Sequence, residues 1–141
     1  MASTRILVSV SSPWASEKLL PMVKDLADRL RATVIVAHVA RAAEQDETDE
    51  EGKQRAQQTL TSLTGKLSEA NIPCEGLLLY GSDVARAILN AAESQHASLI
   101  VVGLTAKGPL ARLLGGDVPT QILKGATIPV LTCPPEWSGT V

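Results

Sequence analysis

Phenylalanine is absent, and Trp14, Tyr80 and Trp137 are the whole aromatic complement of the 141-residue chain. Its core must therefore be aliphatic, and the aromatic platforms on which single-stranded nucleic acids stack are missing. A basic excess is missing too. The 13 Lys and Arg against 15 Asp and Glu leave a net charge of −2, with a pI near 5.7. That balance gives no electrostatic footprint for a phosphate backbone, so nucleic acid is not an expected partner. No apolar run approaches the ~20 residues needed to cross a bilayer. Ile6 to Val10, behind Met1 to Arg5, is shorter than the ~7 to 15 apolar residues of a signal-peptide core. The expectation is a cytoplasmic chain without membrane insertion. Cysteine is scarce as well. Cys74 and Cys133 lack C-x-x-C spacing, so no metal or redox motif follows, and they read as small buried hydrophobes of a reducing compartment.

Apolar residues make up 45% and charged residues 20%, the balance of an ordinary globular protein, and the length suits one domain over residues 1–141. Ile6 to Val10 reads as a strand, followed by Ser12-Pro13, an N-cap with Pro at the first helical position. Leu19, Val23, Leu26 and Leu30 then recur at helical spacing, with Lys18, Lys24, Asp25, Asp28 and Arg29 on the other face. Thr33 to Val39 is β-branched and almost continuously apolar, the pattern of a parallel strand buried on both faces. Glu44 to Glu51 holds six acids in eight positions, which predicts a solvated loop or a frayed helix start, assigned as an acidic loop over 41–52 that could serve a protein partner as recognition element. A helix resumes with Ala56, Leu60, Leu63, Leu67 and Ala70, and Asn71-Ile72-Pro73 closes it. Cys74 to Tyr80 is the third strand. Ser82-Asp83 caps a helix with Val84, Ala85, Ile88, Leu89 and Ala92 on one side. Ser98 to Val102 is the fourth strand, Asp117 to Lys124 a short helix, Ile128 to Cys133 the fifth strand, and 134–141 a tail.

Five strands alternating with helices indicate a doubly wound α/β fold, a parallel sheet with helices on both faces joined by right-handed crossovers. Ligands of such sheets lie beyond the carboxyl ends of the strands, where strand order reverses. The richest loop there is the glycine-rich stretch Gly103 to Gly116, leading into a helix N-terminus, a junction that favours anions. It is not a Walker A loop, since Pro109 follows Gly108 where a Lys is needed. His38 falls within a buried strand, and His96 sits at a helix end where it complements the dipole. No nucleophile elbow, zinc motif or rigid carboxylate pair is present, so no catalytic residues are assigned.

Ile6 to Val10, Val34 to Val39 ending in His-Val, Leu99 to Gly103, Leu110 to Gly116 and Pro129-Val130-Leu131 together resemble the universal stress protein family, in order and spacing over nearly the whole chain. The resemblance implies an adenine nucleotide alpha hydrolase-like sheet in the order 3-2-1-4-5. It also implies a homodimer through the last strand, carried by Ile128, Val130, Leu131 and Thr132, and a regulatory role in stress. Its nucleotide-binding members look like G-x2-G-x9-G followed by Ser or Thr, with an Asp after the first strand facing adenosine. Gly103 and Gly116 match the first and third glycines. Ala106, Asp117 and Ser11 depart from the pattern. Losing the Ser11-side acceptor costs on the order of 1 kcal/mol. A carboxylate at Asp117 within ~4 Å of a phosphate would be repelled by about 4 kcal/mol at an effective dielectric near 20. ATP binding is expected to be weak or absent, with slow ATP hydrolysis as the upper limit of activity. ATP or AMP, or a cyclic nucleotide, is the candidate ligand if the pocket is used. That pocket would combine Val10, Ser11 and Val39 with Val102, Gly103, Ala106 and Lys107, and with Gly116, Asp117 and Val118. Trp14 is read as a residue packed at the entry of the first helix.

Overall fold

The computed structural model describes residues 4–40, 48–103, 118–134, 136–137 and 139–141. Their elements run β1 (Arg5–Ser9), α1 (Pro13–Leu30), β2 (Thr33–Ala40), α2 (Asp49–Glu69), β3 (Cys74–Tyr80), α3 (Val84–Ser94), β4 (Leu99–Gly103), α4 (Val118–Gly125) and β5 (Val130–Cys133). The sheet is parallel throughout, as the alternation predicts, and ordered β3-β2-β1-β4-β5, as the resemblance implies.

Strand parity divides the core. Ile6, Val8, Val34, Val36 and Val101 point to one face, where Leu19, Met22 and Val23 of α1 and Leu60, Leu63 and Leu67 of α2 cover them. Leu7, Ile35, Ile100 and Val102 point to the other, against Ala85, Ile88 and Ala92 of α3 and Ile122 of α4. The inner strands are apolar over their central residues, Ile6 to Val8, Val34 to Ala37 and Ile100 to Val102, because both of their faces are buried there and no alternation with water is needed.

The helix ends follow local chemistry. Ser12 is extended and its Oγ accepts from the Ala15 amide at 3.1 Å, with Pro13 behind it. At the far end Arg31 is left-handed, φ 52°. His96 is left-handed as well, φ 56°, just past the Gln95 cap of α3, so it serves the helix exit through its backbone.

The acidic run is shorter as a loop than expected. Residues 49–52 of the predicted loop 41–52 are helical, and 41–47 lie outside the described residues. Thr48 Oγ1 accepts from the Glu51 amide at 3.1 Å, and Asp49, Glu50 and Glu51 occupy the first turn of α2, where the helix dipole favours negative charge. A second correction concerns Ile128. It precedes β5 rather than belonging to it, because Pro129 has no amide to extend the ladder and restricts the residue before it. Ile128 packs against the second core instead. In the tail, Trp137 is half-buried against the first core, and the Val141 carbonyl accepts from Arg29 Nη2 at 2.6 Å.

Candidate functional site

β1 lies between β2 and β4, so the strand order reverses on either side of it, and the carboxyl ends of these three strands form the place where a ligand of this fold is expected. Val10 follows the end of β1. Its amide donates to the Ala37 carbonyl at 3.0 Å, and its carbonyl lies 2.8 Å from His38 Nδ1. A carbonyl only accepts, so His38 Nδ1 carries the proton. Ser11 is exposed in the loop that enters α1. Val39, near the end of β2, and Val102, in β4, are both buried in the second core, with Val118 of α4 packed against it. Val10 points its side chain to the first core instead. Among the described residues, Val10, Val39 and Val102 lie toward the carboxyl ends of neighbouring strands, but their side chains divide between the two faces of the sheet. Val10 can face a ligand only through its backbone.

Gly103 closes β4. Its φ lies outside the left-handed region, and a Cβ there would meet Leu19 methyl groups at 3.5 and 3.6 Å, ordinary contact. Neither strain nor crowding demands glycine at this position. Ala106, Lys107, Gly116 and Asp117 lie outside the described residues, as does the rest of 104–117.

The helix N-termini at this end of the sheet are poorly equipped for a polyphosphate. In α1, Pro13 has no amide and the Ala15 amide is taken by Ser12. α2 begins on its own three carboxylates. Pro119 at the second position of α4 removes another donor, a feature of the sequence that motif matching alone passes over.

Trp14 is 54% exposed, not packed at the helix entry as expected. It lies on the outer face of α1, and Lys18 Nζ sits 5.1 Å from its ring centroid. A groove of about 390 Å³ opens between β3 and α3, lined by Leu77, Leu79, Tyr80, Ala87, Asn90 and Ser94 among others, and it includes none of the expected pocket residues. Burial pushes the Cys133 thiol up. Both cysteines are free, on the opposite edge strands β3 and β5. Among the described residues, no helix is long and apolar enough to cross a membrane.

At the β5 edge, the Ile100 amide donates to the Pro129 carbonyl at 3.0 Å, and Ile100 is in register with Val130. A parallel ladder of that phase turns the backbone groups of Leu131 and Cys133 toward β4 and those of Val130 and Thr132 outward.

Comparison with known proteins agrees with this architecture. No curated protein matches the chain. A universal stress protein from Archaeoglobus fulgidus, solved in complex with dAMP, superposes with a TM-score of 0.70 at 23% identity, covering 94% of this chain and 98% of that one. A universal stress protein in complex with cAMP gives 0.71 at 20% identity, with 94% and 97% covered. An Arabidopsis thaliana family protein with AMP bound gives 0.65 at 20%, with 93% and 91% covered. At these identities the likeness concerns the fold. The universal stress protein family model, however, matches residues 3–134, nearly the full length and every strand described above, and the chain therefore belongs to the universal stress protein family.

Proposed function

We propose that the protein is a non-enzymatic regulator of stress responses that takes up an adenine nucleoside monophosphate, linear or cyclic, at the carboxyl ends of β1, β2 and β4, and excludes ATP. One observation carries this reading. The buried apolar side chains of Val39 and Val102 stand at the rim of the second core, beside helix N-termini with few free amides. Such a setting suits a base and ribose better than a triphosphate. Asp117 weighs in the same direction, since its charge opposes a triphosphate more than a monophosphate, while Ser11 in place of the adenosine-side acid affects all these ligands alike. Structural neighbours solved with AMP, dAMP and cAMP support the ligand class. The absence of a nucleophile–base pair or a rigid carboxylate pair in the sequence supports a binding role over catalysis. The regulator is read as a homodimer joined through β5, whose outward-facing backbone at Val130 and Thr132 is open to pairing.

A thermal-shift panel tests the ligand half. Wild type and Asp117→Ser are compared with AMP, cAMP and magnesium-ATP at millimolar concentration. AMP or cAMP is expected to stabilise both proteins, by about 2.7 kcal/mol where the ligand reaches 100 times its dissociation constant, and ATP to stabilise only Asp117→Ser. ATP acting equally on wild type overturns the exclusion by charge. No shift with any nucleotide in either protein overturns the ligand reading.

A further inference from the structure

The ladder between β1 and β2 ends at Ser9 and Ala37, and it is there that the only polar side chain of β2 between Val34 and Ala40 makes its contact. We infer that His38 is a positioning residue: its ring, donating through Nδ1 to the Val10 carbonyl at 2.8 Å, sets the course of the Ser11-Ser12 loop and of the first turn of α1, and thereby shapes the wall of the ligand site. The inference rests on the proposed ligand reading for its binding consequence only.

Three features tie the loop to this contact. Val10 is held to β2 twice, by its amide on the Ala37 carbonyl and by its carbonyl on the His38 ring, so its peptide planes cannot swing independently of β2. Two residues on, Ser12 caps α1 through Oγ, and its carbonyl accepts from the Ser16 amide at 3.0 Å, with Ser16 Oγ 3.2 Å away. Downstream on the same helix, Leu19 packs where Gly103 ends β4. A change in the direction of the chain at Val10 is therefore passed through the cap to α1, and through α1 to the second strand end that borders the site. A histidine in a strand otherwise made of Val, Ile and Ala is costly to bury without a partner; here its donor is spent on a backbone group at the point where the ladder no longer holds it. Both the neutral ring with its proton on Nδ1 and the imidazolium donate from this nitrogen, so the contact persists in either state.

The test compares wild type with His38→Leu, which keeps bulk and loses the donor, and His38→Asn, whose amide nitrogen stands close to the place of Nδ1. Native-state hydrogen exchange reads the loop with no ligand present. The Val10, Ala15 and Ser16 amides are expected to exchange about tenfold faster in His38→Leu and to return toward wild type in His38→Asn, with Ile35 unchanged in both. Isothermal titration with AMP is expected to show about tenfold weaker binding for His38→Leu, again recovered by Asn. Equal acceleration at Ile35 would mean a loss of global stability alone and overturns the inference, as does unchanged exchange at the three loop amides. Wild type that fails to bind AMP sinks the ligand reading instead, and the exchange pattern still decides for or against His38.

Discussion

Leu19 and Gly103 meet where α1 crosses the end of β4, with the Leu19 methyl carbons 3.5 and 3.6 Å from the place a Gly103 Cβ would take. That spacing is van der Waals contact without overlap, and the backbone of Gly103 is in a region open to any residue. Gly103→Ala is expected to fold normally and to change stability by no more than about 0.5 kcal/mol, since no mechanism for a large loss is present. Differential scanning calorimetry checks this, and a drop in Tm beyond about 8 °C would show that the strand end is tighter than the distances imply.

Ser16 joins the two helices of the first face. It is fully buried, and its Oγ, which has one proton to give, lies 2.9 Å from the Thr59 carbonyl of α2 and 3.2 Å from the Ser12 carbonyl within α1, the shorter contact bridging the helices. Ser16→Ala leaves the buried Thr59 carbonyl without the hydroxyl, and a cost of about 1 to 3 kcal/mol is expected in urea denaturation. Thr61→Ala, which removes an exposed hydroxyl from α2, should stay within about 0.5 kcal/mol.

The proposed dimer depends on β5 offering its outer backbone to a second copy. Thr132→Pro removes an outward amide while sparing the bonds of Leu131 and Cys133 to β4. Light scattering should give the wild type a mass near twice 14.8 kDa and the variant a single chain mass. A wild type that is monomeric at tens of micromolar, or a variant that remains dimeric, rules out this edge as the interface.

Cys133 makes stability depend on alkaline pH. Burial disfavours its thiolate, so the folded chain holds the proton to higher pH than the unfolded chain does. Below the ordinary thiol range both states are protonated and stability is untouched. As pH rises through that range the unfolded state ionises first, and stability falls. Denaturation curves between about pH 7 and 10 should show this decline in wild type and a flatter profile in Cys133→Ala, offset by the methyl-sized cavity.

The alternation of apolar runs and amphipathic stretches was enough to place all five strands and the four described helices to within a few residues at most ends, because each run must be buried and each period selects one kind of element. The largest miss was at the start of α2. Its signal, Thr48 three residues before Glu51, was present, but the density of carboxylates around it read as a solvated loop or at most a frayed helix start, with the regular helix placed from Ala56. Acidic residues in a first helical turn are favoured by the dipole, so the same charges that deny burial support a helix end. Ile128 was misplaced for the opposite reason: its apolar side chain extended the β5 pattern, while Pro129 denied the backbone bond that a strand needs.

At the site, residue identity alone located Val10, Ser11, Val39, Val102 and Gly103 at strand ends, through the order of elements and the family resemblance. The split of Val10 from Val39 and Val102 across the sheet, the exposure of Trp14 and the His38 contact with Val10 were decided only by the tertiary structure. Periodicity reports which residues are apolar; it does not report how two strands are phased against each other or where a ring nitrogen finds an acceptor 28 residues away. What the sequence determined by itself is the alternation, the parallel sheet and the aliphatic core, since these follow from burial along a single chain. Packing between elements distant in sequence settled the rest, because a hydrogen bond or a helix crossing exists only once both partners have been brought together.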